Sequence, residues 1–230
     1  MLINCDIGER GLAHEIDDQL MAVIDIANIA CGGHAGDEQS IAYYYSLAKE
    51  HGVKPSVHLS YPDRENFGRR VISIDDQALL KSLDQQYTRL YEVKTLKLHG
   101  ALYNEANSNK KLALLIINWA KEAGINEILC PQHSEVARYC SAGEDDPIAV
   151  MHEVFLDRRY VYEHNRLTLK SRKEQDALLN DVDEAIEQFK NFQQNRLVID
   201  KQVHKVNADT GCIHSDSEHA LDLLRAIKGV

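Results

Sequence analysis

The sequence predicts an α/β fold with parallel strands, closed into a seven-stranded (β/α) barrel. Seven short apolar runs alternate with longer amphipathic segments along the chain, and this alternation is typical of parallel strands joined by helical crossovers. An open, doubly wound sheet has the same order of elements. However, no GxGxxG follows the first strand and no GxxxxGK[ST] occurs anywhere, so the usual nucleotide sites of open sheets are missing. We therefore favour the barrel, one strand short of the usual eight.

The composition is that of one folded domain of 230 residues, with 44% hydrophobic and 27% charged residues. The net charge of −10 argues against nucleic acid or an anionic membrane as the main partner, because both need clustered cations. A small anionic substrate remains compatible, since one local basic group can hold it.

The five cysteines form no CxxC pair, which argues against a disulfide framework or a zinc finger and favours a reducing compartment. The N-terminus has neither the basic nor the apolar region of a signal peptide, and the longest apolar run, 112–117, is too short to cross a bilayer. We therefore expect a cytoplasmic protein.

The strands are predicted from short apolar runs bounded by turn residues. They cover residues 2–7, 24–31, 54–59, 95–99, 127–130, 148–153 and 206–214. The helices are predicted from amphipathic periodicity. They cover residues 15–23, 38–51, a long segment starting at Ser73, 112–123, 134–139, 173–192 and 215–227. Gly52 and Gly124 are expected to end two helices, and capping boxes are expected at Ser73 with Asp76 and at Ser171 with Glu174.

Several segments lie outside this regular pattern. Residues 61–70 form a polar loop, and residues 158–172 have weak periodicity, which predicts a long loop near the functional site. Residues 143–147 are expected to form an exposed turn, and residues 110–111 a solvated first turn of a helix. Residues 43–45, three tyrosines, are expected to pack their helix and to contact a second copy of the chain, as in a homo-oligomer.

Ionisable and polar side chains collect at the ends of six of the seven predicted strands. In parallel α/β folds the carboxyl ends of the strands carry the functional groups, and buried charges are costly unless they are paired or used. The alternative is a polar network that only plugs the barrel mouth, and we favour a functional site. The residues at these ends include Asn4, Asp6, Glu9, Asn28, His34, Asp37, His58, Ser60, Tyr61, Asp63, Lys97, His99, Tyr103, Glu153, Asp157, Arg158, Asp209, Thr210, His214 and Asp216.

The segment CGGHAGD at 31–37 combines three glycines with a histidine. Glycines let the backbone approach a ligand and free N–H groups to face an anion, and Asp37 can cap the following helix. A tight strand-to-helix turn with an Asp cap explains the same residues, and His34 within the turn favours a functional interpretation.

Two further interpretations concern metal and charge. Asp6, His34 and His58 end three successive strands, and one carboxylate with two imidazoles can hold a divalent metal, although a plain hydrogen-bond network is the alternative. Lys97 and His99 are two residues apart and so share one face of a strand. With Leu96 and Leu98 facing the helices, Lys97 is predicted to point inward, with Glu153, Asp6 or Asp209 as its partner.

Six segments recur together in a known family. They are NCDIGE at 4–9, ANIACGGHAGD at 27–37, SYPD at 60–63 with FGRR at 67–70, KLHGALYN at 97–104, EVFLDRRY at 153–160 and CIHSD at 212–216. In order and spacing they resemble the LamB/YcsF family. Departures from the family pattern are Gly33 in place of an aromatic residue, Leu59 and Leu98 in place of proline, and Ser215 in place of glycine.

The resemblance implies a seven-stranded barrel of the glycoside hydrolase/deacetylase type, a distorted relative of the TIM barrel. It also implies ATP-driven opening of the 5-oxoproline lactam to glutamate, together with two partner subunits, B and C. The candidate catalytic residues are Asp6, Glu9, His34, Lys97, His99, Glu153, Asp209 and His214. The candidate substrate-binding residues are Asn28, Asp37, Tyr61, Arg70, Tyr103 and Arg158.

A lactam is an unactivated amide, so its carbonyl oxygen must be phosphorylated or strongly polarised. The hypothesis gives the polarising role to Lys97 and His34. The general base would be Asp6, Glu153 or Asp209, and His99 or His214 the acid–base partner. Arg158 or Arg70 would hold the substrate carboxylate. Because the chain has no recognisable nucleotide loop, the partner chains are expected to share in the ATP site.

Two other functions fit the same residues. One is a stand-alone, metal-dependent amide hydrolase or deacetylase that uses Asp6, His34 and His58. The other is a non-catalytic scaffold that only binds partner chains. Alanine at Asp6, His34 or Lys97 is expected to abolish turnover and to leave the thermal melt nearly unchanged if the site is catalytic.

Overall fold

The computed structural model describes residues 1–140, 147–163, 166–179, 181–215 and 219–229. The strands of these ranges are β1 (Leu2–Ile7), β2 (Ile26–Ala30), β3 (Lys54–Leu59), β4 (Thr95–Leu98), β5 (Glu127–Cys130), β6 (Ala149–Phe155), β7 (Tyr160–Glu163), β8 (Arg166–Leu169), β9 (Arg196–Ile199), β10 (Gln202–Lys205) and β11 (Thr210–Ile213). The helices are α1 (Glu15–Met21), α2 (Glu38–His51), α3 (Asp76–Tyr87), α4 (Gly100–Ser108), α5 (Lys110–Glu122), α6 (Glu135–Cys140), α7 (Val182–Gln193) and α8 (Ala220–Lys228).

Seven of the strands close into a parallel barrel in the order β1-β2-β3-β4-β5-β6-β11, with β11 paired back to β1. The predicted seven-stranded barrel is thereby confirmed. The pairing brings chemically important residues level with one another: Asp6 lies beside Asn28, and His58 beside Lys97. Side chains at the same height on neighbouring strands can therefore meet inside the barrel.

The period-two alternation of the strands separates the apolar layer from the polar interior. In β1, Ile3, Cys5 and Ile7 belong to the buried apolar cluster. In β4, Leu96 and Leu98 belong to the same cluster, so the intervening Lys97 points into the barrel, as predicted. The apolar core thus lies between the barrel and its helices, and the barrel centre is left to polar groups.

The turn from β2 into α2 follows the predicted local chemistry. Asp37 accepts a hydrogen bond from the Ser40 backbone N–H, and the Ser40 hydroxyl accepts one from the Asp37 N–H, which completes a capping box. Such a cap contributes about 1 kcal/mol. Gly52 ends the helix in the left-handed conformation with φ of 68°, which glycine adopts at low cost.

Several helix predictions need correction, and one of them is the last helix, α8, which begins at Ala220 and not at residue 215. Helix α3 begins at Asp76, and its cap is Asp75, whose carboxylate accepts from the Ala78 N–H, so the box at Ser73 does not form. Helix α7 begins at Val182 after the cap Asp181, nine residues later than predicted. Helix α4 was not predicted. It starts at Gly100, whose left-handed φ and close approach to the Gly68 carbonyl exclude a side chain.

The chain after β6 is more structured than predicted. The expected long loop 158–172 contains the antiparallel hairpin β7–β8. The expected strand 206–214 shortens to β11, and a second hairpin, β9–β10, precedes it. Of the expected turn at 143–147 only Pro147 is described, and Asp216 lies outside the described residues. All five cysteines are buried thiols. Among the described helices none combines the length and apolarity needed to cross a bilayer.

Candidate active site

A lysine lies at the centre of the barrel. Lys97 is 2% exposed, and its Nζ lies 2.9 Å from Asp6 Oδ1 and 3.1 Å from Glu153 Oε1. It also donates to Asn4 Oδ1 at 3.1 Å and lies 3.0 Å from Cys212 Sγ. These partners come from β1, β6 and β11, so the closed barrel is what brings them together.

The centre is ionised. Burial alone would lower the pKa of Lys97, but Asp6, Cys212 and Glu153 around the ammonium raise this pKa well above its ordinary value. Burial alone would raise the pKa of Asp6, but His58 and Lys97 outweigh it and hold that pKa well below its ordinary value. Because both groups keep their charge, the floor of the site is a cation held between two buried carboxylates.

Glu153 and Asp6 are each fixed by a further hydrogen bond. The Tyr103 hydroxyl donates to Glu153 Oε2 at 2.7 Å, and burial together with Glu153 raises the pKa of Tyr103 well above its ordinary value, so the phenol stays neutral. The Asn28 amide donates to Asp6 Oδ1 at 3.0 Å and to Asn4 Oδ1 at 2.9 Å. Both carboxylates are therefore oriented before any substrate arrives.

Glu9 and His34 come from the loops that follow β1 and β2. Asp17 is fully buried and accepts from the Gly8 N–H at 3.0 Å and from Arg10 at 2.8 Å, which holds the loop that carries Glu9. In the glycine-rich turn the Gly32 N–H donates to the Ala35 carbonyl. That N–H is used within the turn, so the turn serves to place His34 and does not present this group to an anion.

Three imidazoles surround the Glu9 carboxylate. Glu9 Oε1 lies 2.9 Å from His34 Nε2, 3.3 Å from His99 Nδ1 and 3.6 Å from His58 Nε2. The His34 and His99 rings stack in parallel with centroids 3.6 Å apart. Burial, together with the neighbouring histidines, holds the pKa values of His34 and His99 well below their ordinary value, which keeps both rings neutral.

Above this floor opens a cavity of about 430 Å³ whose wall is basic. Among the described residues its lining has one carboxylate, that of Asp6, and several cations. The cations are Arg69, Lys97, Arg158, Lys170, Arg172 and Lys173. Four of them lie in or near the β7–β8 hairpin, which we call the basic lip (Arg158, Lys170, Arg172 and Lys173). In a chain of net charge −10, a cationic cavity is suited to a small anion.

One histidine of the cavity wall is held by its own carboxylate. His214 Nδ1 lies 2.9 Å from Asp157 Oδ2, the same carboxylate accepts from the His214 backbone N–H, and the ring stacks on Phe155. Burial alone would raise the pKa of Asp157, but His214 outweighs it and lowers that pKa. Asp157 fixes the ring through Nδ1, which leaves Nε2 as the nitrogen that can exchange a proton.

The sequence model of one family, described as the LamB/YcsF family, matches residues 1–230. The chain belongs to the LamB/YcsF family. Relatives from Staphylococcus aureus, strains bovine RF122 / ET3-1 and MSSA476, are named as the A subunit of 5-oxoprolinase. Each is 33% identical over 240 residues, which cover 99% of this chain and 94% of the relative. The crystal structure of a lactam utilization protein from Thermus thermophilus has a TM-score of 0.84 and 25% identity over 99% of this chain and 94% of that one.

In this LamB/YcsF protein most of the predicted site residues converge. The barrel centre and the cavity wall together contain Asp6, Glu9, Asn28, His34, His58, Lys97, His99, Tyr103, Glu153, Arg158 and His214. The metal set Asp6, His34 and His58 stays a prediction: Asp6 Oδ2 lies 3.4 Å from His58 Nε2, while Glu9 and His99 also group with His34 and His58. Asp6 also groups with Cys212 and His214, and it pairs with Lys97.

Four predicted residues lie elsewhere. Asp209 precedes β11, so it lies at the amino end of the barrel, where its carboxylate accepts from the His152 N–H. The prediction of Asp209 as a partner of Lys97 is therefore wrong, and this position gives no support to its role as a general base. Asp37 is an exposed helix cap. Tyr61 is buried and donates to Glu105 at 2.7 Å. Arg70 is exposed, and the adjacent Arg69 lines the cavity in its place.

The sequence pattern does not predict most of the basic lip. It places Lys170 and Arg172 at the end of a loop and Lys173 at the start of a helix. Their density of positive charge in an acidic chain was the available signal. Nothing in the sequence, however, indicates which residue of an adjacent pair such as Arg69 and Arg70 faces inward, since the loop has no periodicity.

Proposed function

We propose that this chain is the A subunit of an ATP-dependent 5-oxoprolinase, which opens the lactam of 5-oxo-L-proline to L-glutamate together with subunits B and C in the cytoplasm. The observation that carries the proposal is the Lys97 ammonium, held between Asp6 and Glu153 beneath a basic cavity. The substrate is a small ring with one carboxylate and one amide, which matches a cationic wall and a polarising floor. The 33% identity to relatives that bear the name of this enzyme's A subunit supports the same function.

The residues of the site differ in their ability to stabilise negative charge and to transfer protons. Lys97 remains charged and can stabilise the negative charge that develops on the lactam oxygen. The low pKa of Asp6 makes this carboxylate a weak proton acceptor, so we assign it to holding Lys97. His214, oriented by Asp157, is the better proton carrier. As water adds to the carbonyl carbon, His214 Nε2 takes a proton from that water, and as the C–N bond breaks His214 passes the proton to the departing nitrogen.

The substrate carboxylate is assigned to the basic lip. Arg158 is 6% exposed, its Nη2 donates to the Lys170 carbonyl at 2.7 Å, and its Nε is buried without a hydrogen-bond partner among the described residues. A carboxylate bound to Arg158 and Arg172 would place the lactam ring over Lys97. Arg69 lines the same cavity.

ATP would activate the lactam by donating its γ-phosphoryl group to the lactam oxygen, which releases ADP. One water then adds to the carbonyl carbon and the C–N bond breaks, which leaves an acyl phosphate. A second water hydrolyses this acyl phosphate to glutamate and phosphate, and the atoms balance. The chain has no GxxxxGK[ST] loop, so we assign the nucleotide site to the partner chains, with the basic lip as the part of this chain that would face the phosphates.

The experiment is an assay of glutamate release from 5-oxoproline by this chain with subunits B and C, with and without ATP. We expect release only when all three chains and ATP are present. Lys97→Met should abolish release, and Arg158→Ala should raise KM for 5-oxoproline about 10- to 100-fold, the loss of one charge-assisted hydrogen bond. Arg70→Ala is the matched control, because Arg70 is exposed outside the cavity, and it should leave KM unchanged.

Two results would contradict the proposal. Release by the isolated chain without ATP would favour a stand-alone amide hydrolase, the alternative that the cluster of Glu9 with three histidines supports. Full activity of the complex with Lys97→Met would favour a scaffold role for this chain. Titration calorimetry of the chain with 5-oxoproline would then show no heat of binding.

A further inference from the structure

Two ring nitrogens in the histidine cluster, His58 Nε2 and His99 Nδ1, face each other. His58 Nδ1 lies 3.2 Å from the Lys97 backbone carbonyl, and His99 Nε2 lies 3.0 Å from the Phe67 carbonyl. A carbonyl oxygen only accepts hydrogen bonds, so each of these nitrogens carries the ring proton. In neutral rings the other nitrogens, His58 Nε2 and His99 Nδ1, are therefore bare, and they lie 3.0 Å apart.

The Glu9 carboxylate adds a third electron-rich atom to the same place. Its Oε1 lies 3.3 Å from His99 Nδ1 and 3.6 Å from His58 Nε2, and Asp6 Oδ2 lies 3.4 Å from the same His58 nitrogen. When both rings are neutral, these three atoms, Glu9 Oε1 and the two ring nitrogens, cannot donate to one another, and they repel unless a cation, either a proton or a metal ion, lies among them. Donors bound to one zinc ion at about 2.0–2.1 Å in a tetrahedron lie about 3.4 Å from one another, which is close to the separations found here.

The surroundings of these three atoms are those of metal ligands. A metal-bound histidine usually donates its other N–H to a carbonyl or carboxylate, which fixes the ring, and His58 and His99 both do so. His34 takes a different role. Its ring lies parallel to that of His99 at 3.6 Å, so the two rings cannot both point at one ion, and its Nε2 lies 2.9 Å from Glu9 Oε1, where it can donate.

We propose that Glu9, His58 and His99 form a site for a divalent first-row transition metal, with His34 orienting Glu9. Three protein ligands leave a fourth position open toward the cavity, which His58 and His99 both line. Imidazole and carboxylate ligands suit zinc, and also manganese, iron or cobalt. The proposed metal site is not the Lys97 centre, and metal binding can be measured without substrate. The proposal is therefore independent of lactam opening.

The test uses the purified full-length chain after treatment with a chelator. Zinc chloride is titrated by calorimetry, and cobalt chloride is titrated while the visible absorption of a cobalt complex with nitrogen and oxygen ligands is recorded. We expect saturation at one ion per chain, with competition between the two metals. The cobalt spectrum of the wild-type chain does not depend on whether any variant folds.

The variants are Glu9→Gln and His99→Gln, with His152→Gln as the matched control. His152 also pairs with a carboxylate, that of Asp209, and neither residue lines the cavity. Each ligand substitution should weaken zinc binding at least about tenfold, and the control should not. Circular dichroism of the metal-free variants checks that the fold is retained.

Two outcomes would overturn the site. Without saturable zinc or cobalt binding in the wild-type chain, a proton shared between His58 and His99 occupies the gap. Binding that survives in both ligand variants would place the metal elsewhere. Neither result bears on ATP-dependent glutamate release, so failure of the metal site and failure of the proposed function are distinguishable.

Discussion

At Lys97 a single ammonium group compensates two carboxylates that have almost no contact with solvent, Asp6 and Glu153. Removing one member of such a buried set leaves uncompensated charge, which is far more costly than breaking a surface pair. This changes the expectation from the sequence that alanine at Lys97 would hardly affect the melt. The residue is required for the fold of the site as well as for its chemistry.

Lys97→Met should lower the free energy of unfolding by about 3–5 kcal/mol at pH 7. Without the ammonium, one of the two carboxylates takes up a proton, so its pKa in the folded variant rises above the unfolded value. The deficit should therefore be smaller at pH 5.5 than at pH 7.5, measured by urea denaturation. Lys54→Met, which breaks a partly exposed pair with Glu127, is the control. Equal losses in the two variants would show that the centre is not charged.

The stability loss of an Asp157 variant should also depend on pH, over a lower pH range than that of Lys97→Met. Its pKa in the folded chain lies below the ordinary value because His214 outweighs the effect of burial. A depressed carboxyl pKa contributes stability that is present above the unfolded pKa of about 3.9 and is lost as the pH falls through the folded pKa. Asp157→Asn should therefore be less stable than wild type at pH 6, and the difference should shrink below pH 4.

The measurement is the urea midpoint of both proteins between pH 3 and pH 7. Asp222→Asn, on the partly exposed side of α8, controls for the loss of one carboxylate. A difference between wild type and Asp157→Asn that stays constant over this range would contradict the assigned pairing with His214.

Among the elements, the turn between β2 and α2 shows how backbone geometry positions a functional side chain. Gly36 has a φ of +83°, and a Cβ at this position would overlap the Ala30 carbonyl oxygen. Gly52, at the other end of α2, also has a positive φ, but a Cβ there would meet nothing within 4 Å. The first glycine is required by contact and conformation, and the second by conformation alone.

Gly36→Ala should therefore destabilise the chain more than Gly52→Ala. The left-handed conformation costs alanine about 1–2 kcal/mol at either position, and the overlap with the carbonyl adds to this at Gly36 only. Thermal unfolding of the two variants measures the difference. If Gly36→Ala unfolds at the same temperature as Gly52→Ala, the turn relaxes freely and does not hold His34 in place.

The elements also show what the sequence can predict. Strands β1, β3 and β5 and helix α2 have their predicted bounds, because their apolar runs and caps lie within the segment itself. Helix α4 was not predicted because it begins at Gly100, and the glycine there is required by the close approach of the Gly68 carbonyl, more than thirty residues away in sequence. The predicted placement of Asp209 is wrong because β11 begins only at Thr210, and the Asp209 carboxylate pairs with His152 of the neighbouring strand. Contacts between distant segments decide these points, and no local pattern contains them.

Taken as a whole, the molecule is acidic, with a net charge of −10, yet the cavity above the Lys97 centre has a cationic wall. Opposite charges on the outer surface and in the cavity discourage anions from most of the protein and favour them at one place. Screening acts more strongly on the surface than on the buried floor, because the Debye length is about 10 Å at 0.1 M salt and about 3 Å at 1 M.

Raising the salt concentration from about 0.05 M to about 0.5 M should weaken binding of 5-oxoproline to the assembled complex, because the basic lip is partly exposed and its attraction for the carboxylate is screened. Binding of 2-pyrrolidinone, the same lactam ring without the carboxylate, should change much less. The KM for 5-oxoproline and the inhibition constant of 2-pyrrolidinone, measured in one assay at each salt concentration, compare the two molecules. Identical salt dependence of both molecules would mean that the lip does not recognise the carboxylate.

The reactive groups lie on the barrel strands and the basic lip lies on the hairpin segment, and this separation has a consequence for evolution. The reactive groups of the floor are built into the hydrogen-bonded wall of the barrel, where each strand constrains its two neighbours. The lip lies on a segment that can lengthen, shorten or change sequence while that wall stays intact. Relatives that share the Lys97 centre can therefore diverge in the size and charge of the molecules they accept, and grafting a foreign 158–173 segment onto this barrel is a direct route to new selectivity.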